Sequence, residues 1–345
     1  MPHLTSISPT RASGYDQPTS PLTAKENPLP RPSRLVPPAV VVAVAILAPL
    51  AFAPPATLAC SICRCGDPTF NALGKEGFTA LGFRAALDWE RFDKDEGNPA
   101  EESESQVENR FTALVSYGFA ERFMLNARVP LSVRDVEASV PGEAAETVHT
   151  SGLSDPEVYG QLRLWASRMR AGLGRRASLT LVAGVKTPWG ENDVQHDGER
   201  ADEHAQPGTG STDAFGSLAF LYLIDGGSAL FASTGYRHTG ENDFGYRYGS
   251  SVTANVAYEH RLGSRLDGIV ELNFRHAAKD RTDADGTLDQ DTGGSLLYVT
   301  PRLLVSLGRG LVLRVGAQVP LVRDLNGFQK ERAVANVGIT YLFPR

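Results

Sequence analysis

Cysteine is scarce in this chain: three among 345 residues, all within the six-residue stretch Cys60–Cys65. No disulfide framework can therefore brace the remainder of the fold. Long hydrophobic runs are missing too. The longest apolar stretch, Ala39–Ala53, has about fifteen residues, fewer than the roughly 18 a spanning helix needs, and the mean hydropathy is −0.21. A helical membrane protein is excluded. Nor is there a basic surplus, since 34 Lys and Arg face 40 Asp and Glu for a formal charge of −6, so no nucleic-acid partner is expected.

What the chain has in abundance is alternation. In the first strand Leu81, Phe83, Ala85, Leu87 and Trp89 share one parity, while Gly82, Arg84, Ala86, Asp88 and Glu90 share the other. Side chains alternate faces with period two, so one face is apolar throughout and the other carries charge. The pattern recurs near 78–92, 106–119, 122–136, 153–166, 176–188, 211–224, 228–238, 246–262, 265–278, 294–307, 311–322 and 331–343. Twelve strands put both chain ends on one side of a barrel. The connections sort by length: 93–105, 137–152, 189–210, 239–245, 279–293 and 323–330 are long. Ala120-Glu121, 225–227, 262–264 and 308–310 are short, and 167–175 is intermediate. Long outer loops alternating with short periplasmic turns predict an all-β fold: a transmembrane, antiparallel, up-and-down β-barrel. A secreted soluble sandwich has no reason to sort its loops in this way.

Ahead of the barrel, residues 1–34 are rich in Pro, Ser and Thr and read as a disordered extension or a misassigned start. Residues 35–59 read as a signal peptide, with Arg31 and Arg34 before the apolar run and Ala56-Thr57-Leu58-Ala59 before Cys60. Cleavage after Ala59 would leave Cys60 first in the mature chain, and lipidation of that cysteine stays open. Residues 60–77 form a periplasmic cysteine-rich segment, and 78–345 the barrel. The expected location is the outer membrane of a Gram-negative-type bacterium, in contact with lipid and lipopolysaccharide; the oligomeric state is not legible.

A charge on the lipid face costs roughly 2–4 kcal/mol near mid-bilayer, so the polar parity must face the lumen. The lumen set expected to matter for transport is Arg84, Asp88, Arg110, Arg122, Arg128, Arg163, Lys186, Glu271, Arg275, Arg302 and Arg314. Arg134, Arg247, Glu90, Glu157 and Glu259 share the inward parity. These charges either fill the lumen as salt-bridge ladders or line a narrow path for anions and polar-headed solutes.

Several segments resemble the outer-membrane barrels of the MetA-pathway-of-phenol-degradation type. They are Gly152-Leu153-Ser154-Asp155, Gly184-Val185-Lys186-Thr187-Pro188-Trp189-Gly190 and Pro207-Gly208-Thr209-Gly210-Ser211-Thr212-Asp213. Tyr298-Val299-Thr300-Pro301, Gln318-Val319-Pro320-Leu321 and Asp324-Leu325-Asn326-Gly327 complete the set. The resemblance implies an outer-membrane barrel that moves small, aromatic or hydrophobic, compounds. One departure is the end of the chain, where Phe343 is followed by Pro344-Arg345 rather than closing the sequence.

Candidate chemistry centres on Cys60, Cys63 and Cys65. Three thiols in six residues suit a soft metal such as Cu(I), or zinc with a fourth ligand, or else a disulfide with one cysteine lipidated or free. Arg64 occupies the position of the histidine that covalent haem attachment requires. Asp283-Ala284-Asp285-Gly286 fails a calcium-loop template at both ends, and His196 with His204 is a minor metal candidate. No nucleophile elbow or triad spacing is present, so catalysis is not expected. The functional expectation is a channel passing a small-molecule solute by diffusion, without a cofactor. A closed barrel that anchors the cysteine segment as a metal or redox site is the alternative.

Overall fold

The computed structural model describes residues 81–98, 102–142, 144–167, 177–224, 227–282 and 286–343. The signal segment, Cys60, Cys63 and Cys65 lie outside the described residues, as does most of the 167–175 connection. Twelve wall strands follow in chain order: β1 (Gly82–Asn98), β2 (Glu102–Ala120), β3 (Phe123–Ser139), β4 (Glu146–Leu153 continuing as Glu157–Ala166), β5 (Ala177–Lys186) and β6 (Asp213–Ile224). The second half supplies β7 (Ser228–His238), β8 (Ser251–Arg261), β9 (Leu266–Ala277), β10 (Gly294–Gly308), β11 (Leu311–Leu325) and β12 (Val334–Leu342). Each strand pairs antiparallel with its chain neighbours. The wall closes where β1 pairs with β12, from Arg84↔Leu342 to Arg91↔Ala335. Closure satisfies every strand edge, which an open sheet in lipid could not do.

The period-two pattern sets the two faces. Phe83, Leu87, Val115, Leu125, Val129 and Leu272 stand exposed on the outer face. Arg84, Ser116, Asn126, Glu271 and Asn273 are buried on the inner one. Aromatic rings collect on the outside of the short-turn end, where Phe83 meets Phe343 at 4.7 Å and Phe119 meets Phe123 at 4.8 Å. Phe343 stands exposed on the outer face, and its N–H donates to the Phe83 carbonyl at 3.1 Å.

Three differences from the expected layout have physical causes. β1 to β3 run for 17, 19 and 17 residues, roughly 55–65 Å at 3.3 Å each, well beyond the 9–11 residues that cross a bilayer. Toward their far ends the outer face turns polar, with Asp93 and Asp95 in β1 and Asp135 and Glu137 in β3, so the apolar stripe stops while the hydrogen-bond ladder continues, and the first two long loops shrink to 99–101 and 140–145. β4 is broken at Ser154-Asp155-Pro156. Before the break Thr150 and Gly152 share the inner face; after it Glu157 and Tyr159 do, so the interruption shifts parity by one residue. Finally, Tyr246 and Tyr248, whose alternation suggested strand, belong to the loop before β8, where both are buried.

Candidate functional site

The longest connection, 187–212 between β5 and β6, folds inward rather than away from the barrel. Its residues Ala201, Glu203, Ala205, Gln206, Thr209 and Ser211 are buried. The gap in β4 is what receives it. Asp155 Oδ1 accepts the Gly190 N–H at 3.0 Å, and Oδ2 accepts the Thr209 N–H at 2.8 Å and the Thr209 hydroxyl at 2.5 Å. Lys186 Nζ donates to Asp155 at 2.8 Å and to Ser211 Oγ at 3.2 Å, and also to the Thr209 hydroxyl. Backbone packs on backbone here. A Cβ at Gly190 would lie 2.6 Å from Asp155 Oδ1, and one at Gly208 would lie 2.7 Å from the Gly190 Cα, so glycine is required at both. Three segments far apart in the chain, 152–155, 184–190 and 207–213, thus meet in one knot.

Further out, wall side chains capture the loop's own carbonyls. The His204 carbonyl accepts from Gln106 at 3.1 Å and Arg134 at 2.7 Å. That of Gln206 accepts from Arg134 at 2.5 Å, that of Ala205 from Thr150 at 2.5 Å, and that of Glu203 from the Tyr248 hydroxyl at 2.9 Å. Buried carbonyls of an irregular segment need such partners, and the wall provides them. Arg200 clamps the Glu203 carboxylate through both terminal nitrogens at 2.7 and 3.0 Å and lies over the Phe244 ring at 3.7 Å.

The lumen charges form chains of alternating sign. Asp213 lies 3.3 Å from Lys186 and 3.5 Å from Arg237. Arg237 reaches Glu157 at 2.7 Å, and Glu157 reaches Arg128 at 3.3 Å. With Asp155, three carboxylates face three cations. On the neighbouring β2 and β3, Glu108 holds Arg110 at 2.7 Å and Arg134 at 3.5 Å, and Ser132 donates to it at 2.8 Å. Glu271 pairs with Arg302 at 3.0 Å and Asp88 with Arg314 at 2.5 Å, while Arg84 donates to Ser116 at 3.0 Å. Arg275 is buried on the same inner face.

Two predicted members lie at the short-turn end, apart from these charge chains. Arg122 is exposed in the two-residue turn between β2 and β3, and Arg163 sits beside it, its guanidinium donating to the Glu121 carbonyl at 2.7 Å. For Arg122, inward parity was extrapolated past the strand end, where solvent takes over. Arg247 likewise reaches outward to His238 at 3.2 Å. Sequence reasoning passed over Arg237, Glu108, Asp155 and Asp213 as site residues, although the last two stand in the glycine-rich segments it singled out.

Below the charged layer the inner face turns apolar. Leu221, Ala229, Phe231, Ala257, Ile269 and Leu304 pack into one buried cluster contributed by β6 to β10, and Ala86, Leu114, Tyr159, Val182 and Phe215 form a second. At the long-loop mouth a cavity of about 650 Å³, its open entrance included, lies between β1, β2, the 187–212 loop and the last long loop. Glu96 and Glu104, directly opposed across β1 and β2, line it with Lys94, His204 and Lys330. Glu96 stands beyond the apolar belt, which in β1 ends at Trp89. Burial pushes its carboxyl up to about 7, against His204 and Lys94, which lower it; Glu104 and Asp289 add to the rise.

A family model described as "Putative MetA-pathway of phenol degradation" matches residues 91–321, well over half of the chain. The chain belongs to this family. Its matched span runs from β1 into β11 and contains the whole Asp155 knot. Among solved structures, an outer membrane channel from Pseudomonas putida F1 is similar, with a TM-score of 0.58 at 14% identity over 80% of this chain and 99% of that one. That likeness concerns the fold. Looser likenesses include the transport unit of the autotransporter AIDA-I from Escherichia coli, with a TM-score of 0.44 and 13% identity over 80% of this chain and 94% of that one. The β domain of the Bordetella autotransporter Brka gives 0.43 and 12% over 76% and 100%. No curated protein sequence matches the chain.

Proposed function

We propose that this family member is an outer-membrane channel through which small solutes diffuse passively, with the 187–212 loop as its constriction. The observation that carries the reading is a closed twelve-stranded wall whose longest loop is pinned inside it by the Asp155–Lys186–Thr209 knot. A loop folded across the bore narrows it without sealing the wall, and a rigid polar knot holds the aperture at one size. The apolar outer face meets lipid, the long-loop mouth faces the exterior and the short-turn end the periplasm.

The paired charges give the path little net sign. Arg128, Lys186, Arg237, Arg302 and Arg314 each face a carboxylate, so we infer that solutes are sorted by size and by fit to the apolar clusters near Phe231 and Tyr159 rather than by strong anion attraction. No catalytic step or cofactor enters this reading. The test is uptake into proteoliposomes together with single-channel recording in planar bilayers. Steady unit currents and faster entry of small than of large neutral solutes are expected. Absence of both would favour the closed barrel that only anchors the cysteine segment.

A further inference from the structure

From the outer end of β4 and the tip of the inward-folded loop, we infer a binding site for a divalent first-row transition metal ion held by Glu146, His196 and Asp197. Each residue offers one ligand atom, and the three atoms lie within 4.8 Å of one another. His196 Nε2 is already 3.3 Å from Glu146 Oε1. The three come together by folding, since 50 residues separate Glu146 from His196. Glu146 opens the first half of β4, opposite Ala138 of β3. His196 belongs to a two-residue ladder, Gln195–His196 against Glu199–Arg200, that forms a small hairpin within the 187–212 loop. Its turn is Asp197-Gly198, with φ of 49° and 88°, the left-handed pair that an Asp-Gly turn adopts readily. That turn sets the Asp197 carboxylate beside the imidazole.

The donor set decides the class of ion. One imidazole nitrogen and two carboxylate oxygens suit Zn²⁺, Mn²⁺ or Co²⁺. Without a thiolate the set has no preference for Cu(I), and a site built around imidazole is unlike the all-oxygen cages of Ca²⁺. A zinc ion about 2.1 Å from each ligand needs the ligand atoms roughly 3.4 Å apart; Glu146 and His196 already meet that spacing, and the other separations, at most 4.8 Å, close by small side-chain rotations. Glu146 is 65% exposed and has the freedom to do so, and the fourth position stays open to water. Charge argues the same way. Two carboxylates share one imidazole, and a proton on the ring balances only one of them; a divalent cation balances both. Bound there, the ion ties the tip of the loop to the barrel wall at a point distant from the Asp155 knot, so that the loop is held at both ends.

The test is a zinc titration by calorimetry of the full chain in detergent, repeated for His196→Ala, His149→Ala and the Cys63→Ser/Cys65→Ser double variant. The wild type is expected to bind one equivalent that His196→Ala loses, with affinity reduced at least tenfold. His149→Ala and the cysteine variant keep that equivalent. Hydrogen exchange across 187–212 should slow on adding zinc to the wild type and stay unchanged in His196→Ala. Retention of the equivalent in His196→Ala, its loss with the cysteines, or no zinc binding at all would overturn the assignment.

Discussion

Two sets of ion pairs in this barrel use the same residue types and differ in their surroundings. Inside, Lys186 and Asp155 are 1% and 3% exposed and share their atoms with Thr209, Ser211 and Asp213. At the mouth, Arg332 reaches Asp95 at 2.8 Å and Arg91 reaches Asp93 at 3.3 Å, but these side chains stand about one-third to more than one-half exposed. Distances alone would rank the two sets equal. Solvent ranks them apart: the outer pairs are screened and cost side-chain entropy, whereas removing one partner of the inner set strands a buried charge. The inner set therefore fixes the loop, and the outer set decorates a rim that the strand ladder already holds.

That comparison breaks first at Lys186. Lys186→Met leaves Asp155 and Asp213 without their shared cation, and should lower the urea-unfolding free energy of the refolded barrel by about 3–5 kcal/mol. An unchanged midpoint would mean that water replaces the lysine without loss. Next, Phe231→Ala removes the largest side chain of the lower apolar cluster and should cost about 3–5 kcal/mol with the loop undisturbed, read as lost stability without change in hydrogen exchange across 187–212.

Glu96→Gln is a smaller, pH-dependent probe. Burial holds the folded-state carboxyl at about 7 against an ordinary 4.5, so between these pH values the folded protein keeps a proton that the unfolded chain has released. Wild-type stability thus falls as pH rises from about 4.5 to 7 on this group's account and stays reduced above. The amide variant lacks that loss. The difference in urea midpoint, variant minus wild type, should grow through that window and then level off; a flat difference would contradict burial as the cause. Arg332→Ala sits last, with no measurable change in midpoint expected.

Much of the barrel was legible because period two is a strong signal wherever one face must be apolar. Leu81 to Trp89, Phe123 to Val133 and Leu311 to Val319 reveal their faces directly. The inward loop was not legible. Ser154-Asp155-Pro156 looks like part of a strand until its long-range partners at Gly190 and Thr209 are known, and no local pattern announces contacts 35 and 54 residues away. Tyr246 and Tyr248 misled for the same reason: alternating tyrosines fit a strand, yet Tyr248 seals the 187–212 loop through the Glu203 carbonyl. Arg122 shows the opposite failing, in which the correct parity was carried past the end of the wall. Arg237 was passed over because a lone arginine next to Tyr236 gives no hint that it bridges Asp213 and Glu157.

Single-channel conductance of Asp155→Ala beside the wild type tests the central claim most directly. With Asp155 gone, the Gly190 and Thr209 amides and Lys186 lose their common acceptor, and the loop leaves the bore. Unit conductance several-fold above that of the wild type, with larger current noise, is the predicted result. Equal conductance from a correctly folded variant would contradict the loop as the constriction.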